Sequence, residues 1–186
     1  MINSEGLYNI IKEYGTNKNT IDKIQNIFLQ GDSRYSDPEY EAMVSGFLDN
    51  NAISIEERKI EKKIVNTNNI KGPQKQMKAT VIGILRNIGY KIISMERGFM
   101  GGIPDVLARK GDFFIAVECG PCNVRKAIDY LENDNTSLWI IRPERNKYSL
   151  FVLSKSASWN TFYEFYKKTQ FERIREYVEA AFRTWI

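Results

Sequence analysis

Hydrophobic residues recur every three or four positions over the first 70 residues, which is the spacing of amphipathic helices. Four short helices are predicted there. The last of them begins at Ser54, because Ser54 and Glu57 have the spacing of a capping box, and it extends to about Val65. The polar segment 66–72 then separates this helical N-terminal region, residues 1–70, from the rest of the chain.

From Pro73 onward the pattern changes to helices that alternate with short apolar runs. Apolar residues at helical spacing predict a helix from Pro73 to about Asn87. After it, the pattern predicts strands over 91–95, 104–108 and 113–119, a helix over 123–131, and strands over 137–141 and 148–153. The run 113–119 is apolar almost throughout, which predicts a central strand covered on both faces.

The last 30 residues form an aromatic-rich amphipathic pattern, which predicts one long C-terminal helix. Its aromatic stripe is expected to pack in the core or, as a second choice, to form a dimer interface. The predicted order from Pro73 is α-β-β-β-α-β, with one more strand and this helix appended. The sequence therefore predicts an α/β fold with its core over residues 71–186.

The absence of histidine among the 186 residues narrows the possible chemistry more than any other feature of the composition. It excludes catalytic triads with a histidine base and histidine-ligated zinc. Catalysis would have to use carboxylates, Lys, Arg, Tyr, Cys or a metal bound through oxygen. The net charge of +4 permits binding to nucleic acid without requiring it.

The longest apolar runs are far shorter than the ~20 residues that span a bilayer. The segment Met1 to Lys12 lacks the basic and apolar regions of a signal peptide. We therefore expect a cytoplasmic protein with no membrane association.

Two acidic residues stand at the ends of the predicted hairpin strands. Asp105 begins one strand and Glu118 ends the next, with a turn at Lys110-Gly111-Asp112 between them. In an antiparallel hairpin these positions lie side by side, and two carboxylates there repel each other unless a cation lies between them. Oxygen ligands with open positions suit Mg²⁺ or Mn²⁺, and the carbonyl of Cys119 could be a third ligand. The alternative is that Asp105 caps a turn and Glu118 is a surface acid.

The Pro104-Asp105 pair, the hairpin, the apolar strand ending in Glu118 and the flanking helices resemble the PD-(D/E)XK nuclease superfamily. This group includes restriction enzymes and Holliday-junction resolvases, and the resemblance covers roughly residues 73–141. It implies a restriction-endonuclease-like αβββαβ core. It also implies hydrolysis of DNA, branched DNA included, with one or two divalent ions, and a homodimer.

The chain departs from the family pattern at Gly120, where the family has a lysine two residues after the acid. Arg125 and Lys126, on the first turns of the next helix, are the candidates to replace that cation. Some relatives also carry a glutamate on the first core helix, which this chain lacks; Glu57, Glu61 and Glu96 are the candidates for that role. If no cation replaces the lysine, the resemblance implies a catalytically inactive nucleic-acid-binding protein of the same fold.

Several basic residues near the predicted site could follow a phosphate backbone. They are Arg97, Arg109, Arg142, Arg145 and Lys147. An equally good interpretation is that they are solvated loop residues.

A redox function is the alternative from another class. Cys119-Gly120-Pro121-Cys122 has the same four residues as the thioredoxin motif, follows a predicted strand and precedes a helix, which predicts a low-pKa cysteine. Against a thioredoxin-like thiol–disulfide protein, Glu118 stands where thioredoxin has Trp, and a tight turn leads to the strand instead of a helical crossover. A reversible disulfide that stiffens the metal-site turn would reconcile both patterns.

Overall fold

The computed structural model describes residues 53–62, 72–160 and 163–164. These residues form a mixed α/β structure. Its elements are β1 (Ile53–Glu61), α1 (Pro73–Asn87), β2 (Lys91–Ser94), β3 (Val106–Lys110), β4 (Phe113–Cys119), α2 (Val124–Leu131), β5 (Thr136–Pro143) and β6 (Lys147–Lys155). The helices predicted before residue 53 and most of the predicted C-terminal helix lie outside the described residues, although 159–160 and 163–164 are helical. None of the helices described is long and apolar enough to cross a membrane.

The strand β1 corrects one prediction, because Ser54 and Glu57 do not cap a helix. Residues 53–58 alternate between partly buried and exposed positions, which is the period of a strand. Along its whole length β1 pairs antiparallel with β6, from Ile53 opposite Lys155 to Glu61 opposite Lys147. Pairing with a strand almost a hundred residues away overrides the local capping signal.

The six strands form one sheet in the order β1-β6-β5-β4-β3-β2. The β4–β5 pair is parallel, and the other pairs are antiparallel. Residues 115–119 of β4 are all buried, as the central position predicts. Because β4 and β5 are parallel, their carboxyl ends lie at the same edge of the sheet, called here the site edge.

The two helices cover opposite faces of the sheet, and successive residues of β4 belong to different cores. On one face Val81 and Leu85 of α1 pack in the same cluster as Val117. On the other face Ile128 of α2 packs in the same cluster as Ala116. Each large aliphatic side chain buried this fully contributes about 1.5–3 kcal/mol. These cores hold the β3–β4 hairpin between the helices, so both helices can reach its open end.

The strand β3 begins two residues later than predicted, at Val106 instead of Pro104. Proline has no N–H to donate to a strand ladder, which favours a start after it. Asp105 therefore lies just before the strand, where its side chain is less constrained by the ladder.

Candidate metal centre

The register of the β3–β4 hairpin brings the two predicted acids together. Val106 pairs with Val117, so Asp105 and Glu118 each lie one residue further along at the site edge. Since Ala116 belongs to the core beneath α2, the alternation of β4 puts Glu118 on the α2 face, whereas Asp105 precedes β3 and contacts Lys78 of α1. Burial is the largest cause of the raised pKa of Glu118, and the charge of Asp105 adds to it.

Asp105 is held by one backbone group and one ammonium group. Its Oδ2 accepts a hydrogen bond from the backbone N–H of Cys119 at 2.7 Å. Its Oδ1 lies 2.9 Å from Nζ of Lys78 on α1, and both side chains are largely buried, at 16% and 15% exposed. The carboxylate is therefore oriented by β4 and neutralised from α1.

Glu118 is the more enclosed of the two acids, with its side chain 10% exposed. Its Oε1 accepts a hydrogen bond from the hydroxyl of Tyr130 at 2.8 Å and lies 2.7 Å from Nζ of Lys126. Burial raises the pKa of Glu118, and Lys126 and Tyr130 offset part of that rise. The ionised form thus depends on neighbouring donors, as is common for carboxylates at functional sites.

The loop before β3 packs directly on Tyr130. A Cβ atom at Gly102 would lie 2.6 Å from Cε1 of Tyr130, so this position accepts only glycine without a shift. Two backbone hydrogen bonds between Phe99 and Gly102 close the loop. Tyr130 is fully buried, and burial followed by the charge of Glu118 raises the pKa of its hydroxyl. The loop therefore fixes the tyrosine that binds Glu118.

The two predicted replacement cations have different partners. Lys126 reaches Glu118 and also donates to the carbonyl of Ile103 at 3.2 Å. Arg125 instead forms an ion pair with Asp129 one turn along α2, at 3.0 Å. Of the two, Lys126 is the one in contact with a proposed metal ligand.

Lys78 contacts both Asp105 and Glu96, although the sequence pattern did not indicate it as a site residue. Burial alone would lower the pKa of Lys78, but the hydrogen bonds and charges of Glu96 and Asp105 outweigh burial and raise it. The available signal was its position next to Met77 in the apolar stripe of α1, where a lysine extends its stem along the buried surface. That signal does not identify its partner, because the partner belongs to another element.

Glu96 is the candidate upstream acid that lies near the pair. It contacts the same ammonium nitrogen as Asp105, whereas Glu57 and Glu61 lie on β1, at the far side of the sheet. Its backbone has φ of 53°, a left-handed conformation that costs about 1–3 kcal/mol where the surroundings impose it. A hydrogen bond from its N–H to the carbonyl of Pro104 at 3.2 Å helps to hold this conformation.

The site offers two carboxylates as possible metal ligands. Within the described ranges, no group of three or more His, Cys, Asp or Glu side chains is arranged to hold a metal. Mg²⁺ commonly takes only one or two carboxylates and fills its other positions with waters and phosphate oxygens. Asp105 and Glu118 meet that requirement. The carbonyl of Cys119 as a third ligand stays a prediction.

The five predicted phosphate contacts lie at both ends of the sheet. Arg109 lies at the far end of β3, about 13 Å along the strand from Asp105, and contacts Asp112 and the ring of Phe114. Arg97 is exposed in the segment between β2 and β3, next to Glu96, which contacts Lys78 at the site edge.

The other three predicted contacts lie near the site edge. Arg142 is partly buried at the end of β5, and Arg145 is exposed in the turn that follows. Lys147 begins β6 and forms an ion pair with Glu61 at 2.7 Å.

The cysteines do not have the low pKa that their motif predicts. Both are free and buried, and burial raises the pKa of Cys119 to about 12 and that of Cys122 well above its usual value. Nearby acids, Asp105 for Cys119 and Glu118 for Cys122, raise both further. Cys119 packs in the core beneath α1 and Cys122 in the core beneath α2, so the two thiols lie on opposite faces of the sheet.

A scan against protein-family models, a search of curated proteins and a search of solved structures each find no match to this chain. The resemblance to PD-(D/E)XK nucleases therefore stays an expectation from the motif.

Proposed function

We propose that this chain is a divalent-metal-dependent nuclease that hydrolyses DNA phosphodiester bonds. The observation that carries the proposal is the side-by-side position of Asp105 and Glu118 at one sheet edge, each in contact with a lysine. Paired carboxylates bind a cation, and adjacent ammonium groups stabilise the negative charge of a phosphate. A site with both features suits the hydrolysis of a phosphate ester.

In this proposal Asp105 and Glu118 hold Mg²⁺ or Mn²⁺, which when bound polarises the phosphate and lowers the pKa of a coordinated water. The N–H of Cys119 and the hydroxyl of Tyr130 orient the two carboxylates. In the reaction the oxygen of water bonds to phosphorus and gives up a proton to solvent, one ester P–O bond breaks, and the departing oxygen gains a proton from solvent.

Lys126 substitutes for the cation that Gly120 cannot supply. Its ammonium group lies beside Glu118, on the side of the site formed by α2. It can offset the charge that develops on the phosphate oxygens during hydrolysis. Lys78 supplies a second positive charge from α1, beside Asp105.

A catalytically inactive nucleic-acid-binding protein is the second candidate. The observation in its favour is that lysines already neutralise both carboxylates. In that case the ion pairs are structural, and DNA binds without being cut. The thiol–disulfide alternative is less well supported, because the buried thiols with raised pKa are poor nucleophiles.

Cleavage of labelled DNA tests the proposal. Duplex, single-stranded and four-way-junction DNA are incubated with Mg²⁺, with Mn²⁺ and with EDTA. We expect metal-dependent cleavage that falls more than about 100-fold in Asp105→Asn and in Glu118→Gln, since changes outside the ligand shell alone cost 10–100-fold. Asp112→Asn is the matched control, because this exposed acid lies at the other end of the same hairpin.

Retained cleavage in both acid variants would refute the proposed metal ligands. Salt-sensitive DNA binding by folded protein, with no cleavage in any metal, would support the inactive binding protein instead.

A further inference from the structure

Arg142 differs from the other partly buried basic side chains that the structure describes. Those others each donate to a carboxylate or a backbone carbonyl; they are Lys62, Lys78, Arg125, Lys126 and Lys155. Arg142 forms no hydrogen bond or ion pair with any described residue. Burial lowers its pKa, and no acid among the described residues counteracts that effect.

An unpaired, partly buried guanidinium has a cost that a bound anion would remove. Arginine stays protonated at any physiological pH, so burial does not neutralise it. Burying part of such a charge without a partner is unfavourable. An anion at this position would regain that energy, and the planar fork of the guanidinium matches the oxygens of a phosphate.

The position of Arg142 connects it to the candidate metal centre. Glu118 pairs with Ile140 across the parallel β4–β5 ladder, and Arg142 is two residues further along β5. Ile140 packs in the core beneath α2, so the alternation of β5 puts Arg142 on the same face as Glu118. The Cα atoms of Glu118 and Arg142 are then about 8 Å apart, given ~4.8 Å between strands and ~3.3 Å per residue.

Asp105 lies just before β3, and Glu118 and Arg142 lie on one face of the neighbouring strands β4 and β5, so all three are at one edge of the sheet. A metal ion held by the first two would bind the phosphate that is cut. A guanidinium one strand away is within reach of the next phosphate of the same polymer. A small monovalent anion would gain only one of these two contacts.

We propose that Arg142 binds a non-bridging oxygen of the phosphate adjacent to the bond that is cut. The identity of the polymer rests on the proposed function, but the anion contact itself does not require metal or cleavage.

The test is DNA binding in EDTA, measured by fluorescence anisotropy with a labelled duplex and a labelled single strand at several salt concentrations. Arg142→Gln should weaken binding and reduce the slope of log affinity against log salt by about 0.7–0.9, the value for one lost phosphate contact. Arg142→Lys should restore the slope but only part of the affinity, because it keeps the charge and loses the fork. The matched control is Arg86→Gln, an exposed arginine in the last turn of α1.

Thermal unfolding of each variant checks that the fold is intact. Titration with inorganic phosphate, followed by the unfolding midpoint, distinguishes a free anion from a polymer. If phosphate stabilises the wild type but not Arg142→Gln, while the DNA slope is unchanged, the residue binds a free anion and the proposal is wrong. Equal slopes for Arg142→Gln and Arg86→Gln, or no DNA binding by any folded protein, would also refute it.

The two proposals fail separately. If Arg142→Gln reduces the salt dependence of DNA binding but no DNA is cut in any metal, the proposed nuclease activity is wrong and the proposed phosphate contact is supported. If cleavage depends on Asp105 but Arg142→Gln binds DNA as Arg86→Gln does, the proposed nuclease activity is supported and the proposed phosphate contact is wrong.

Discussion

Tyr130 connects the loop before β3 to Glu118, and its hydroxyl can be tested alone. Tyr130→Phe removes one hydrogen bond to a buried carboxylate and leaves the ring contacts with Gly102 unchanged. We expect the free energy of unfolding to fall by about 1.5–3 kcal/mol, the range for hydrogen bonds to charged groups. Unfolding in urea measures this free energy. In the control Tyr148→Phe, a buried tyrosine with no hydrogen bond to the described residues, the change should be close to zero.

If the free energy of unfolding falls no more for Tyr130→Phe than for Tyr148→Phe, the hydroxyl does not stabilise Glu118. The cleavage assay provides a second, independent measurement on Tyr130→Phe. If the hydroxyl orients Glu118, cleavage falls even at temperatures where Tyr130→Phe is fully folded.

At the scale of single residues the sequence predicted Asp105, Glu118 and Lys126 but not Lys78. The first three lie within 22 positions of one another, on a hairpin and the helix that follows it, so local order indicates their proximity. Lys78 approaches from α1, across the loop and β2, and only tertiary packing brings it to Asp105. The low pKa predicted for the cysteines was wrong because burial, which the motif does not encode, dominates at both positions.

At the scale of elements, the bounds of α1 and β4 were predicted to the residue and those of α2 to within one, whereas β1 was predicted as a helix. The first three have strong local signals: a periodic apolar face, a proline or asparagine start, and an uninterrupted apolar run. The strand β1 has weak alternation and many charged residues. Its conformation depends on β6, which no local pattern reveals.

The attachment of β1 to the sheet can be tested through Glu144. This acid lies in the turn between β5 and β6 and binds both Lys59 of β1 and the hydroxyl of Ser149. These contacts lower the pKa of Glu144 below its usual 4.5, with the hydrogen bond from Lys59 as the first cause. A lowered folded-state pKa means that the stabilisation is present above about pH 4.5 and is lost as pH falls through the folded value.

Glu144→Gln should therefore lower the melting temperature more at pH 7 than at pH 3. The effect should be below ~1 kcal/mol because the pair is solvent-screened. Hydrogen exchange of the β1 amides should accelerate in parallel. Glu56→Gln is the control, since Glu56 pairs with Arg58 within β1 and connects no second strand. An equal fall in melting temperature at both pH values would show that Glu144 acts through packing instead of charge.

At the scale of the whole molecule, the lysines and a metal ion compete for the same carboxylates. Lys78 and Lys126 neutralise Asp105 and Glu118 in the structure, which stabilises the fold without metal. A bound ion would have to outweigh these contacts, and the displaced ammonium groups would then be available to a phosphate. The nuclease and the inactive binding protein differ in whether this exchange occurs.

Unfolding in the presence of Mn²⁺ distinguishes these cases without a substrate. An ion that binds only the folded state stabilises it by RT ln(1 + [L]/Kd), or about 2.7 kcal/mol at a hundredfold excess over Kd. We expect Mn²⁺ to raise the unfolding midpoint of the wild type, and not that of Asp105→Asn. Lys126→Met should bind Mn²⁺ more tightly, because its competitor is gone, yet cut DNA more slowly, because its charge is missing. Equal midpoint shifts for the wild type and Asp105→Asn would mean that any ion binds elsewhere, and that the lysines are permanent partners of the acids.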